Sequence, residues 1–266
     1  MASRVTALLY HDVLEGEDPD QSGLPGKNSA EYKIASNEFD RHLTAINKSL
    51  RSPVITRISE ADSSVVPPVM FTFDDGGVSA IDIIAPALER NGWKGVFFIP
   101  TDYIDKDAFL SRDQIRALYN RGHIIGSHSC SHPKKISECT PEQLLSEWCG
   151  SLKILSEILE RPVTVASIPG GFYSNAVVEA AIECGVKYLF TSEPVQKVWH
   201  EGECAIIGRF SVKRGDEARV PAEFAANNPL RMFRQYSYWN IKKAAKAFSG
   251  PVYPWVRSYY LSRKNG

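Results

Sequence analysis

The 266-residue chain is poor in cysteine, with five in all, and no two of them stand in a C-x-x-C spacing. An odd, scattered set excludes a disulfide framework as the organising device, so all five read as reduced thiols. No apolar run approaches the roughly 20 residues that span a bilayer. Residues 1–10 hold one Arg and an apolar stretch too short for a signal peptide. These absences point to a cytoplasmic protein. Net charge is missing too: 31 Lys and Arg balance 31 Asp and Glu, so nothing global argues for nucleic acid. Internal repeats and low-complexity segments are lacking. The length suffices for one large domain or two small ones with a real core.

Acidic residues are absent from one region. Residues 224–266 carry eight Lys or Arg, no Asp or Glu, and ten aromatics, among them Phe233, Tyr236, Trp239, Tyr253 and Trp255. Everything before is therefore acidic by eight charges. The composition divides the chain into 1–223 and a basic, aromatic-rich helical extension, 224–266. Three readings of the extension stand open: a helix and tail packed over one end of the main domain, a surface that sits on an anionic membrane, or a contact for a partner or a polyanionic glycan. Leu230, Phe233, Ser237 and Ile241 are helically spaced, with Lys242, Lys243 and Lys246 close by.

Within 1–223 short apolar runs alternate with helical patterns. Strands are predicted over 5–10, from Pro67-Pro68 to Asp74-Asp75, and over 95–99, 123–127, 163–168, 186–190 and 205–212. Helices are predicted after Ser36-Asn37, which supplies an N-cap, over 81–91, after Ser111, after Thr140-Pro141 and over 174–184. Residues 52–66 are ambiguous. Such alternation argues for a parallel sheet with crossover helices, and seven or eight units favour barrel-like closure, with the chemistry at the C-terminal strand ends. His11, Asp12, Asp74, Asp75 and His128 all fall at such ends.

Two stretches carry the chemistry. Met70-Phe71-Thr72-Phe73-Asp74-Asp75-Gly76-Gly77 delivers two carboxylates to one strand end; one can hold a metal while the other moves a proton. A strand ending in an ordinary Asp-Gly turn is the plainer alternative. His128-Ser129-Cys130-Ser131-His132-Pro133 places two imidazoles four apart in a loop leaving another strand, a spacing that can converge on one ion.

Together these stretches resemble the polysaccharide deacetylases with the NodB homology domain, also called carbohydrate esterase family 4. The family's TFDDG motif is intact at residues 72–76, and its H-S/T-x-x-x/H-S/T/P motif is matched at 128–133. The resemblance covers roughly 67–212, and Leu8-Leu9-Tyr10-His11 looks like the first strand of many members. It implies a distorted (β/α)7 barrel, with Asp75, His128 and His132 as metal ligands and Asp74 as general base. The implied metal is divalent: Zn²⁺ in the simplest case, with Co²⁺, Ni²⁺ and Mn²⁺ as the other candidates. The oxyanion would lean on that metal and on a backbone N–H of the following loop.

Two departures stand out. The third motif's Arg, from a pattern like R-P-P-Y-G, is missing from Ser167-Ile168-Pro169-Gly170-Gly171-Phe172-Tyr173, and the late Leu-x-His motif that supplies the acid is absent. His11 is the leading substitute for the acid and His200 the second. Alternatively, His11 bonds to a neighbouring strand. Asp12, Gly170, Gly171, Tyr173 and Arg209 are read as substrate-binding; Arg209 could instead orient Asp74 or form a surface ion pair.

The reading is a metal-dependent hydrolase that removes N-acetyl or formyl groups from an amino sugar of a cell-surface polysaccharide or its lipid-linked precursor. Its place is the cytoplasm or the inner face of the membrane. An O-deacetylase or non-carbohydrate amidase, and a catalytically weak glycan-binding or scaffold protein, are the alternatives.

Overall fold

Nine short strands form one curled sheet, and only its last edge strand runs antiparallel. The computed structural model describes residues 3–16, 18–57, 59–60 and 66–249. Tyr253 and Trp255 lie outside the described residues, as do parts of the ambiguous 52–66 stretch. The strands are β1 (Thr6–Tyr10), β2 (Val69–Phe73), β3 (Gly95–Ile99), β4 (Ile124–Ser127), β5 (Val165–Ser167), β6 (Tyr188–Phe190), β7 (Trp199–Glu201), β8 (Cys204–Ile207) and β9 (Arg209–Ser211). Their order across the sheet is β9-β1-β2-β3-β4-β5-β6-β8-β7. Besides a single helical turn at Lys27–Ala30, the helices are α1 (Ser36–Ser49), α2 (Ala85–Arg90, entered through a π turn at Ala80–Ile84), α3 (Arg112–Asn120), α4 (Pro141–Leu159), α5 (Asn175–Glu183), α6 (Arg219–Ala225) and α7 (Pro229–Ser249). The fold is a distorted α/β barrel that no continuous ladder closes.

Chain continuity joins the two edges instead. The single strand expected over 205–212 is broken at Gly208 into β8, which pairs with β6, and β9, which pairs with β1. A Cβ at Gly208 would collide with the Glu193 carbonyl, so glycine permits the close approach that bends the chain here.

Strand parity sorts the core into two layers. Val69, Phe71 and Phe73 of β2 pack with the helices, as do Phe97 and Ile99 of β3. Their neighbours Met70, Val96 and Phe98 face the barrel interior with Ala7, Phe190, Ala205 and Ile207. Strands buried on both faces read as unbroken apolar runs. The same two-residue period puts His11, Asp74, His128 and Ser167 on the inner face, two or four residues after Ala7, Met70, Ile124 and Val165.

Helix starts follow local chemistry. Ser111 and Thr140 each form a reciprocal capping box, with Gln114 and Gln143. Such a cap contributes about 1 kcal/mol. Ser174 caps α5. At α1 the expected cap is displaced: Ser36 is already helical, and Ala35 precedes it without a side-chain bond.

Two further expectations are corrected. Cys149 of α4 and Cys184 beside α5 are disulfide-bonded, with Cα atoms 4.9 Å apart; Cys130, Cys139 and Cys204 are free thiols. The pairing escaped the sequence because the two cysteines meet only when α4 packs on α5. The boundary drawn at 224 falls inside α6, where Phe224 is buried and its ring stacks on Phe210 of β9, centroids 5.0 Å apart.

Candidate active site

At the C-terminal strand ends, one carboxylate and two imidazoles converge. Asp75 Oδ1 lies 3.6 Å from His128 Nε2 and 3.6 Å from His132 Nε2. These distances are too long for hydrogen bonds. They are close to the roughly 3.4 Å that separates two ligand atoms on a tetrahedral Zn²⁺. Among the described residues, donor atoms of Asp75, His128 and His132 form the group able to hold a metal, all within 4.8 Å of one another. The side chains of Asp75 and His128 are almost fully buried, whereas His132 keeps 21 % exposure, so the cluster meets solvent on the His132 side.

Backbone conformation builds this cluster. Asp75, Ser129 and His132 all have left-handed φ angles, of 73°, 65° and 53°. Such conformations are costly away from glycine and persist where surrounding structure enforces them. The enforcement is visible. Ser129 Oγ accepts from the His132 N–H (3.1 Å), and Glu147 of α4 accepts from the Cys130 and Ser131 N–H groups (2.9 Å each) and from Ser131 Oγ (2.6 Å). His128 donates through Nδ1 to the Ser167 carbonyl at 3.0 Å, leaving Nε2 turned to Asp75 with its lone pair. That outer bond fixes the tautomer a metal ligand needs.

The electrostatics fit a cation. Burial pushes the Asp75 carboxyl well above its usual range, and the charges of Asp74 and Asp12 push it further. Burial also pulls His128 down to about 3 and lowers His132. Neutral imidazoles beside a carboxylate that lacks a counter-charge are the donor set a divalent metal uses.

Asp74 has its own partner. Burial alone would raise its carboxyl, but Arg209 holds it well below the usual range. Arg209 Nη1 lies 2.7 Å from Oδ1 and Nη2 2.8 Å from Oδ2. Arg209 Nη2 also donates to Ser167 Oγ at 2.7 Å, and its Nε donates to the Thr191 carbonyl at 3.0 Å. Asp74 Oδ2 stands 3.7 Å from His128 Nε2, so this fixed carboxylate borders the three-donor cluster.

The other expected residues divide. Arg209 is fully buried, which removes it from the substrate surface and places it behind Asp74. Asp12 is corrected as well: it is buried, and its Oδ1 accepts from Ser22 Oγ (2.6 Å) and Ser79 Oγ (2.8 Å). It ties the early loop to the turn after Asp75. A Cβ at Gly77 would strike Asp12 Oδ1 and the Gly23 backbone, so the second glycine of that turn serves packing. Gly170 and Gly171 form a left-handed turn above β5, and Tyr173, 36 % exposed, turns toward solvent beside it. His11 is on the inner face; burial pulls it down to about 4, and Asp74, Arg209 and His132 all act on it. Its Nδ1 is buried without a partner, and its ring lies on Tyr32 at 4.6 Å. His200 is exposed on the edge strand β7 opposite Ala205, at the start of β8, and is not part of the site. Ser167 and Glu147 were missed. Parity along β5 could have indicated Ser167, but no local signal marked Glu147.

Comparison with known proteins agrees with this geometry. The polysaccharide deacetylase family profile matches residues 63–189. The Bacillus subtilis protein YxkH, a candidate polysaccharide deacetylase, is 22 % identical over 197 residues, covering 72 % of this chain and 66 % of that protein, just under two thirds. The fold is shared with a Bacillus cereus polysaccharide deacetylase, BC0361 (TM-score 0.70, 18 % identity, 84 % of this chain and 69 % of that one). It is shared too with a de-N-acetylase from Aggregatibacter actinomycetemcomitans (TM-score 0.63, 18 % identity, 78 % and 94 %). The profile spans both the carboxylate strand and the histidine loop, so residues 63–189 match the polysaccharide deacetylases, a family of hydrolases.

Proposed function

We propose that this chain is a metal-dependent N-deacetylase acting on an amino sugar of a cell-surface glycan or its lipid-linked precursor. The observation that carries the proposal is the fixed Asp74 carboxylate beside the Asp75–His128–His132 donor cluster. Asp75, His128 and His132 would hold a divalent cation, Zn²⁺ in the simplest case, which supplies Lewis-acid activation of water and of the acyl oxygen. The likeness to a de-N-acetylase of the same fold supports the choice of an N-acyl substrate.

The protein's own groups account for the proton traffic. Asp74 is ionised, and its two-pronged bond to Arg209 prevents rotation, so it accepts a proton from the attacking water in one defined direction. Ser167 Oγ accepts from Arg209 Nη2 and lies 3.4 Å from Asp74 Oδ2, bracing the same pair. His11, on the same inner face and within electrostatic reach of Asp74, would relay to the departing amine the proton that Asp74 takes from water. Release of acetate from an N-acetylated chitooligosaccharide tests the proposal: turnover that needs added divalent metal and Asp74 supports it, and turnover indifferent to both contradicts it.

A second reading, ester hydrolysis, is favoured by the state of His11. Its Nδ1 has no carboxylate to orient the ring, and an alkoxide leaves with less help from an acid than an amine does. Parallel assays on N-acetyl and O-acetyl sugars separate the two.

A further inference from the structure

Apart from Tyr173, every large exposed hydrophobic side chain among the described residues belongs to α7: Leu230, Phe233, Tyr236, Tyr238 and Ile241. Leu230, Phe233 and Ile241, at 75 %, 67 % and 67 % exposure, share one face with Ser237. Residues 229–249 contain five Lys or Arg (231, 234, 242, 243, 246) and no Asp or Glu. Lys242 lies over the Tyr238 ring at 4.7 Å and Lys243 over Trp239 at 4.8 Å.

The helix has a defined direction on the barrel. Just before it, Asn227 accepts from Thr6 Oγ1 (2.7 Å) and donates to the Pro67 carbonyl (3.2 Å), both at the entry ends of β1 and β2. Two turns into it, Gln235 donates to the carbonyl of Ser211, the last residue of β9, at 2.8 Å. Thus α7 climbs the outside of the barrel from the strand entries to the catalytic end. At 1.5 Å per residue, the stretch from Gln235 to Ser249 adds about 20 Å beyond that point. The aromatic and lysine-bearing half of α7 therefore extends past the catalytic end of β9.

We infer that α7 docks on an anionic phospholipid surface, with the catalytic opening turned toward it. The composition is that of an interfacial helix, with Lys and Arg for headgroups and Leu230, Phe233 and Ile241 for the acyl boundary. No helix among the described residues is long and apolar enough to cross a membrane, so the contact lies in the interface. Docking stands on α7 alone; only its use in presenting a lipid-linked substrate rests on the deacetylase reading.

The test is co-sedimentation of the full chain with vesicles of phosphatidylcholine, or of phosphatidylcholine with about 30 % phosphatidylglycerol. The expected result is pelleting with the anionic vesicles alone, weakened at least about tenfold by Lys242→Glu with Lys243→Glu. Phe233→Ser with Ile241→Ser should weaken it similarly. All four positions are surface sites, so the thermal midpoint and hydrolysis of a soluble acetylated oligosaccharide should stay unchanged in both variants. Loss of hydrolysis by the wild type would contradict the deacetylase reading and leave docking intact. Failure of the wild type to pellet, or pelleting unaffected by either pair, would overturn docking. So would a dimer that Phe233→Ser with Ile241→Ser dissolves in the absence of vesicles, or retention on alginate beads with none on vesicles.

Discussion

Arg209 and Asp74, 135 residues apart, meet in a buried fork-to-fork ion pair with both N···O distances under 3 Å. The family's usual orienting Arg belongs to the segment after β5, where this chain has Ser167-Ile168-Pro169-Gly170-Gly171. Here a guanidinium from β9 reaches the same carboxylate, and Ser167 Oγ accepts from it. In this chain the charge that orients Asp74 comes from β9.

Removing that charge should damage both stability and turnover. Arg209→Met leaves Asp74 buried and unpaired, at a cost of about 3–5 kcal/mol. Arg209→Lys keeps the charge but loses the planar fork. For the Lys variant kcat should fall while KM changes little, because Arg209 does not face substrate. An increase in KM alone would return Arg209 to substrate binding.

Asp74→Asn should keep the metal and lose the reaction. A general base contributes about 10²–10⁴-fold, and Asp74 is outside the three-donor cluster. Metal content by plasma mass spectrometry, set beside acetate release, checks both halves. Full activity would exclude Asp74 as the base.

The His123–Glu89 pair sets an acid limit on stability. Arg121, Lys94 and His123 hold Glu89 down to about 2, and burial pulls His123 down to about 4. The Gly95 N–H donates to His123 Nδ1 at 3.1 Å, so the folded protein favours the neutral ring. A folded pKa of about 4 against about 6.5 in the unfolded chain means that stability present above pH 6.5 is lost as pH falls toward 4. His123→Gln should be less stable than wild type at pH 7, and the gap should narrow across that window. A gap independent of pH would refute the assignment. Thermal melts at several pH values measure it.

Thiol counting tests the Cys149–Cys184 bridge. Denatured, unreduced protein should show three reactive thiols and reduced protein five. Cross-linking over 35 residues stabilises by about 3–4 kcal/mol in the chain-entropy description, so Cys149→Ser should lower the melting point. Five thiols before reduction would favour the reducing, cytoplasmic setting expected from the cysteine pattern.

Much of the site could be read from the sequence because it lies on strands. The run into Asp74 and the His128–His132 loop each carry their chemistry within a few residues, and the alternation of strands and helices indicates the barrel. What escaped depends on contacts distant in sequence. Arg209 could be read as a substrate group, a partner of Asp74 or a surface ion pair, and only the Gly208 bend, which turns it inward to Asp74, decides among them. Asp12 resembles a site residue by its strand-end position, but Ser22 and Ser79 claim it. Glu147 sits mid-helix, and only the packing of α4 brings it to the His128–His132 loop. Cys149 and Cys184 became partners for the same reason.

The central claim is that Asp75, His128 and His132 hold a catalytic metal. Metal content and affinity of the wild type, measured by mass spectrometry and calorimetry beside Asp75→Asn and His128→Ala, test it most directly. The expected result is close to one divalent ion per wild-type chain, with affinity lost in both variants whether or not activity is assayed. Absence of metal after reconstitution, or equal binding in all three proteins, would contradict it.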